Sequence, residues 1–274
     1  MNPLLIRKQL EAFLNEDLCW GDLTTDALLK DETAEAVILA KEEGLMAGGP
    51  FVAELFNLLG PTEVKLLKKE GESFKSGDEL VYLKGSAANL LKTERTALNL
   101  LQRLCGVATA ARRLVKALEG TGVKLLDTRK TTPGLRLFEK YAARVGGALN
   151  HRFCLSDAVL IKDNHKKLVG GVRQAVKLVR ERVSPVYKVE VEVESLDELV
   201  EALEAGADAV MLDNFSPEEV KEALKLVKGK VLVEVSGSVT PENARLYALK
   251  GVDFISSGYP TRRAQALDLS LEVL

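Results

Sequence analysis

The sequence has little of what defines several protein classes. It has only three cysteines, Cys19, Cys105 and Cys154. Their number is odd, and they lie far apart without a Cys-x-x-Cys pair, which disfavours a disulfide framework or a zinc site. No apolar run approaches the roughly 18 residues of a membrane span, and the first residues lack a secretory-signal pattern. Acidic and basic residues nearly balance, 40 against 38, so nothing attracts the protein as a whole to nucleic acid or an anionic membrane. We therefore expect a cytoplasmic globular protein in which any basic site is local.

The N-terminal third predicts a small layer of helices and strands. Apolar residues spaced three and four apart predict an amphipathic helix over residues 3–18. Short β-type runs between residues 34 and 85 are separated by glycine turns and by a helix over 51–59. Two long helical stretches, 89–104 and 108–118, then lead to a different pattern.

From residue 122 onward, short apolar strands alternate with helical segments. Strands buried on both faces by crossover helices are expected to be almost continuously aliphatic, as residues 158–161 are. This alternation favours an α/β barrel of about seven strands, with an open doubly wound sheet as the alternative. The predicted strands are 124–126, 147–149, 158–161, 188–193, 209–212, 231–235 and 254–256.

Polar residues follow these strands, and in a parallel barrel all such ends meet on one face. Four cations gathered there predict a small ligand with several negative charges, because guanidinium groups grip carboxylates and lysine serves phosphates. The alternative is a set of salt bridges at the rim with Asp127 and Asp163. The cations are Arg129, Lys130, Arg152 and Lys162.

The two histidines of the chain both fall at strand ends. We interpret His151, beside Arg152, as a ligand contact, although a structural hydrogen bond is the alternative. His165 is interpreted as a cap of the following helix.

Two carboxylates, Glu192 and Asp213, end neighbouring predicted strands and suit a divalent cation or ribose hydroxyls. Glu190, Glu192 and Glu194 share one face of their strand, and alternation predicts that this face points inward while Val189, Val191 and Val193 pack on outer helices. Of the three, we expect only Glu192 to reach the mouth of the barrel without being buried. A polar layer inside the barrel is the alternative.

Small-residue turns that suit a phosphate follow the last two strands. They are Ser236-Gly237-Ser238 and Ser257-Gly258.

Taken together, these motifs resemble the quinolinate phosphoribosyltransferase family. The resemblance covers nearly the whole chain and is most specific at residues 127–136, Asp-Thr-Arg-Lys-Thr-Thr-Pro-Gly-Leu-Arg, and at 162–165, Lys-Asp-Asn-His. Supporting segments are 94–99, 150–152, 211–214 and 266–272.

The resemblance implies an N-terminal α/β sandwich domain, residues 1–108 with the tail 267–274 returning to it, and an incomplete seven-stranded α/β barrel, residues 109–266. It implies a magnesium-dependent enzyme of NAD biosynthesis that joins quinolinate to 5-phosphoribosyl 1-pyrophosphate with loss of carbon dioxide, working as a homodimer or an assembly of dimers. Quinolinate would be held by Arg129, His151, Arg152 and Lys162, with Arg95 from the neighbouring subunit. The donor would be held by Lys130, Lys162, Glu192, Asp213, Ser236, Gly237, Ser238, Ser257 and Gly258. Of these, Lys130, Glu192 and Asp213 would be catalytic, and Glu192 and Asp213 would bind the metal.

The sequence departs from the family pattern after the last strand. Gly258-Tyr259-Pro260-Thr261-Arg262-Arg263 stands where Gly-Ala-Leu-Thr-His-Ser is usual, and we expect this loop at the phosphate end. The alternatives are a related branch associated with molybdenum-uptake operons, a non-catalytic binder of a phosphorylated metabolite, and a Schiff-base lyase using Lys130 or Lys162.

Overall fold

The computed structural model describes Asn2–Leu274. In the first part of the chain the elements are α1 (Pro3–Leu18), α2 (Leu23–Leu28), β1 (Thr33–Ala40), β2 (Gly44–Leu45), α3 (Gly49–Leu58), β3 (Glu63–Leu66), β4 (Ser73–Phe74), β5 (Glu79–Ser86) and α4 (Ala87–Ala117). The elements that follow are β6 (Lys124–Leu126), α5 (Arg136–Val145), β7 (Val159–Ile161), α6 (Asp163–Val169), α7 (Val172–Arg182), β8 (Val189–Val193), α8 (Leu196–Glu204), β9 (Ala209–Asp213), α9 (Pro217–Val227), β10 (Leu232–Ser236), α10 (Ala244–Tyr247), β11 (Phe254–Ser256), α11 (Tyr259–Arg262) and β12 (Leu269–Val273). None of the helices in residues 2–274 is long and apolar enough to cross a membrane.

The chain divides into two compact units. The first contains residues 1–110, Thr132–Gly146 and Arg263–Leu274, and the second contains Ala111–Thr131 and Gly147–Arg262. The boundary predicted between residues 108 and 109 stays a prediction.

An antiparallel sheet of order β12-β1-β5-β3 organises the first unit. The C-terminal strand β12 pairs with β1 from Ala36 opposite Val273 to Ala40 opposite Leu269. The central residues of β1 are buried, with Ala36 and Ile38 fully inaccessible. A small core of aromatic rings forms where Phe138 meets Phe51 edge-on at 4.9 Å between ring centroids.

Helix α4 corrects the prediction of two separate helices, because it runs unbroken through Gly106. A Cβ on Gly106 would lie 1.9 Å from the backbone oxygen of Gln265 in the first unit. The glycine therefore permits a close backbone approach and does not end the helix.

The second unit is an open parallel barrel. Six strands are hydrogen-bonded in the order β6-β11-β10-β9-β8-β7. The predicted strand 147–149 is reduced to one parallel bridge between Leu149 and Leu126, because Gly147 adopts φ 104° and interrupts extended backbone. With that bridge as its seventh position, the sheet confirms the incomplete α/β barrel.

The residues of β8 alternate as its sequence predicts. Val189, Val191 and Val193 are at most 1% exposed and face the helical layer. Glu190 and Glu192 point to the other side, into the barrel. Because all six strands are parallel, their carboxyl ends lie along one edge, and this edge carries the candidate site.

Candidate functional site

A cavity of about 440 Å³ opens at the carboxyl ends of the strands in the second unit. It gathers residues that lie as far apart in the chain as β6 and β11. Eight of its lining residues are ones the sequence predicts as site residues: Arg129, Lys130, His151, Arg152, Lys162, Glu192, Asp213 and Ser236.

The cations differ in their environment. Lys130 is exposed, whereas Arg152 is 9% exposed and its guanidinium donates to the carbonyl of Ala158 at 3.0 Å. Burial, followed by the charge of Arg129, lowers the pKa of Arg152 from its ordinary value. The two guanidinium groups lie close enough for their positive charges to repel each other. An anion bound between them would be attracted by both.

An ion pair joins two neighbouring strand ends. Lys162 Nζ, after β7, lies 2.5 Å from Glu192 Oε2 at the end of β8. The backbone N–H of Lys162 donates to Nδ1 of His165 at 2.9 Å, so His165 does cap the start of α6. Glu192 is only 7% exposed, so the expectation that it escapes burial is wrong: the Lys162 side chain and the barrel wall cover it. Lys162 therefore pairs with Glu192, whereas the alternative of rim salt bridges predicted Asp127 or Asp163 as partners of the cations.

Asp213, at the end of β9, brings a second carboxylate to the cavity. Burial, followed by the charge of Glu192, raises the pKa of Asp213 above its ordinary value. The two carboxylates offer hard oxygen ligands, and a divalent cation bound there would offset the charge of Glu192 that opposes ionisation of Asp213. The donor set of Glu192 and Asp213 therefore fits Mg²⁺.

The loop carrying His151 is fastened by a buried carboxylate. Asp127, 1% exposed at the end of β6, accepts from the backbone N–H of His151 at 2.8 Å and from Asn150 Nδ2 at 2.7 Å. Asp127 therefore positions this loop, a role that the sequence analysis missed, since it considered Asp127 only in the alternative of salt bridges at the rim. The signal in the sequence was an aspartate directly after the predicted strand 124–126.

A second group of potential metal ligands lies deeper in the barrel. Ligand atoms of His151, Glu190 and Glu234 all fall within 4.8 Å of one another. The Nδ1 atom of His151, however, accepts a hydrogen bond from the backbone N–H of Arg152 at 2.7 Å. A metal on Nε2 would leave this ring without a proton on either nitrogen, so the group does not fit a cation at neutral pH.

The small-residue turns after β10 and β11 are only partly directed at the cavity. Ser236 lines it, whereas the Ser257 hydroxyl is buried and donates to the carbonyl of Val239 at 2.6 Å. Gly237 has φ 112°, and a Cβ there would lie 2.3 Å from Asn214 Oδ1, so this turn requires glycine. Ser238 is exposed at φ 41°.

The atypical loop after β11 forms the short helix α11 beside Lys130. The Thr261 hydroxyl donates to the Lys130 carbonyl at 2.7 Å, and a Cβ on Gly258 would lie 3.2 Å from both Lys130 Cδ and Arg262 Cδ. The loop therefore packs against the residue predicted to contact the donor.

Arg95 lies elsewhere. It belongs to the first unit, is exposed, and lines a different cavity of about 440 Å³ together with Glu16, Asp17 and Arg103. Its predicted contact with quinolinate in a neighbouring subunit stays a prediction.

Four lining residues of the first cavity were not anticipated. Ser256 is 2% exposed and lies beside Ser236 in the register of β10 and β11. A serine at the inward parity of a barrel strand is the signal that would have indicated it. The others follow only from the fold: Thr128, Leu160 and Met211.

Comparison with known proteins agrees with this geometry. The chain matches the domain families described as "Quinolinate phosphoribosyl transferase, N-terminal domain" over residues 22–105 and "Quinolinate phosphoribosyl transferase, C-terminal domain" over residues 107–272. The chain belongs to the quinolinate phosphoribosyltransferase family.

Relatives within this family align over nearly their full length. A probable nicotinate-nucleotide pyrophosphorylase [carboxylating] from Bacillus subtilis is 42% identical over 100% of this chain and 95% of the relative. The nicotinate-nucleotide pyrophosphorylase [carboxylating] of Homo sapiens is 41% identical over 99% of this chain and 92% of the relative. The solved structure of the nicotinate-nucleotide pyrophosphorylase from Francisella tularensis superposes with a TM-score of 0.94 at 40% identity, covering 100% of this chain and 98% of that one.

Proposed function

We propose that the protein is a carboxylating nicotinate-nucleotide pyrophosphorylase, a phosphoribosyltransferase of NAD biosynthesis. It converts quinolinate and 5-phosphoribosyl 1-pyrophosphate to nicotinate mononucleotide, pyrophosphate and carbon dioxide. The observation that carries this function is one cavity where four cations, Arg129, Lys130, Arg152 and Lys162, face two carboxylates, Glu192 and Asp213. Such a cavity suits two polyanionic substrates whose reaction develops positive charge between them.

The quinolinate end is built from guanidinium groups. Burial first, and the charge of Arg129 second, lower the pKa of Arg152, and a dicarboxylate placed between the two guanidinium groups would offset the repulsion between them. Lys162 is assigned to the same ligand as a point charge. Fixing the ring in this way aligns its nitrogen for attack on ribose C1.

The donor end is built from Lys130 and the two carboxylates. As the bond from ribose C1 to pyrophosphate breaks, the sugar gains oxocarbenium character, which Glu192 and Asp213 stabilise as negative charges fixed by the fold. Lys130 offsets charge on the departing pyrophosphate, and the turn at Ser236 and Gly237 offers backbone N–H groups to the 5-phosphate. Glu192 and Asp213 would also hold Mg²⁺, which when bound supplies further charge neutralisation to the phosphates.

Decarboxylation follows on the ribosylated ring. The bond between C2 and its carboxylate breaks with the electron pair left on C2, the cationic ring nitrogen stabilises that pair, and C2 then takes a proton. No covalent bond to the protein is required. The amine of Lys162 is engaged in an ion pair with Glu192, which argues against its use as a Schiff-base nucleophile.

The proposal includes a homodimer, or an assembly of dimers, in which Arg95 reaches the partner's site. The cytoplasmic location expected from the sequence remains a prediction. The names of the matched relatives do not favour the molybdenum-associated or non-catalytic alternatives.

The test is an end-point assay of the purified protein with magnesium, 5-phosphoribosyl 1-pyrophosphate and either quinolinate or nicotinate. We expect nicotinate mononucleotide and carbon dioxide from quinolinate alone. Lys130→Ala should reduce the rate by about 100-fold or more, since it removes one fixed charge that the transition state uses. Lys167→Ala is the matched control, because its side chain is 70% exposed and pairs with Asp163 on the same helix.

Two outcomes would contradict the proposal. Product from nicotinate alone would assign a different acceptor, and no product from either acid would remove the transferase assignment.

A further inference from the structure

A second, smaller cavity lies in the barrel of the second unit. Its volume is about 170 Å³, and most of its wall is apolar. His151 lines both this cavity and the candidate site, so the imidazole stands between them. Two carboxylates, Glu190 and Glu234, line the inner cavity beside it.

Both ring nitrogens of His151 face groups of the protein. Nδ1 accepts from the backbone N–H of Arg152 at 2.7 Å, which places the proton of the neutral ring on Nε2. Nε2 lies 3.3 Å from Glu190 Oε2 and 3.5 Å from Glu234 Oε2, which are contacts within ion-pair range that do not have hydrogen-bond geometry. The ring thus connects the two interior carboxylates on one side to the backbone of Arg152 on the other.

Arg152 is placed by this connection and by one more. Its backbone N–H is held by the His151 ring, and its guanidinium is held by the Ala158 carbonyl. A tilt of the imidazole would therefore move the backbone from which the Arg152 side chain enters the site.

The stability of the fold alone does not explain the two carboxyl groups behind His151. Glu234 is 3% exposed, and within the described residues its Oε1 has no hydrogen-bond partner. Two neighbouring carboxyl groups removed from water oppose folding, and apolar residues of similar volume usually pack as well or better. An arrangement that disfavours folding at the wall of a ligand cavity indicates a role in that cavity.

We propose that Glu190 and Glu234 are positioning residues for the quinolinate end of the site, acting through the His151 ring on Arg152. They fix the ring by its Nε2 side, and the ring fixes the backbone of Arg152 by its Nδ1 side. The identity of the ligand rests on the proposed function, whereas the geometry of the ring does not.

Steady-state kinetics separate this role from a structural one. Glu234→Leu keeps the side-chain volume and removes the contact, and we expect its KM for quinolinate to rise about 10-fold while its KM for the donor stays within about 2-fold. Glu234→Gln keeps an acceptor facing Nε2 and should hold the quinolinate KM within about 3-fold of the unmodified protein. Val233→Leu, one residue earlier and therefore on the opposite face of the strand, controls for disturbance of β10.

Thermal unfolding of the same variants completes the test. The melting temperature of Glu234→Leu should equal or exceed that of the unmodified protein, because a buried acid is replaced by an apolar group. An unchanged quinolinate KM in Glu234→Leu would overturn the proposal. So would equal rises in both KM values together with a lower melting temperature, since that pattern belongs to a merely structural residue.

A spectroscopic measurement needs neither activity nor a folded Glu234→Leu. The chain has two histidines, so nitrogen NMR of histidine-labelled protein gives two ring systems, and a His165→Gln variant assigns them. We expect His151 to carry its proton on Nε2, in the unmodified protein and in Glu234→Gln. A proton on Nδ1 would refute the positioning geometry, whereas absence of product from quinolinate in the unmodified protein would refute only the proposed function.

Discussion

Glu234 places a titratable carboxyl inside a barrel, and that has a consequence for the whole fold. Burial, followed by the charge of Glu190, raises the pKa of Glu234 from 4.5 to about 8. Between these two pH values the folded protein keeps a proton that the unfolded chain releases. The unfolded state therefore binds fewer protons, and this group lowers the free energy of unfolding as pH rises through the interval.

We predict that Glu234→Gln reduces this pH dependence. Urea unfolding at several pH values between about 5 and 9 should show the unmodified protein losing stability relative to the variant as pH rises. The amide does not titrate, so the difference between the two curves isolates the contribution of Glu234. Curves that run parallel across the interval would show that the folded protein does not hold this proton.

At the scale of elements, α4 illustrates what a glycine in a helix can mean. Alanine usually stabilises a helix by about 1 kcal/mol relative to glycine. At Gly106 the sign should reverse, because the added Cβ would lie 1.9 Å from the Gln265 carbonyl oxygen, which is backbone and has little freedom to move away. We expect Gly106→Ala to lower the free energy of unfolding by about 1–3 kcal/mol, the usual range for overpacking.

Denaturant unfolding measures this change directly. Gln265→Ala is the control, because it leaves the backbone oxygen in place and should not rescue Gly106→Ala in the double variant. A melting temperature that rises in Gly106→Ala would mean that the backbone near residue 265 yields easily.

The same glycine shows where sequence patterns stop being informative. Period-two alternation correctly separated Glu192 from Val191 and Val193, since alternation is a local property of any strand. The unbroken helix through Gly106 depends on a backbone 159 positions further along the chain, which no window of sequence contains. Likewise the strand predicted at 147–149 has the right composition but is limited by the backbone angle of Gly147.

The candidate site follows a similar rule. Charged residues directly after strands were predictable, because parallel strands end on one face whatever their length. The inward parity of Ser256 on its strand could have indicated it, but its position beside Ser236 in the cavity follows only from the register between β10 and β11. The contact between the His151 ring and the side chains of Glu190 and Glu234 depends on three separate segments of the chain and could not be predicted from spacing.

At the scale of the whole molecule, the role of Arg95 decides whether one subunit alone contains a complete active site. It lies in the first unit, and the cavity with the other predicted site residues lies in the second. If Arg95 enters the site of a neighbouring copy, a dimer of two different inactive variants regains one complete site. Arg95→Ala leaves its own second unit intact, and Lys130→Ala leaves its own Arg95 intact.

We therefore predict complementation between Arg95→Ala and Lys130→Ala. Each variant alone should lose nearly all activity. After subunit exchange, an equal mixture should recover up to about a quarter of the unmodified rate. Random pairing puts about half of all subunits in mixed dimers, and each mixed dimer holds one complete site of two. Mixing Arg95→Ala with unmodified protein under the same conditions, with differently tagged subunits, shows that exchange has occurred. Exchange without recovery would mean that Arg95 serves the site of its own chain or none, since a residue supplied across the interface must restore the partner that lacks it.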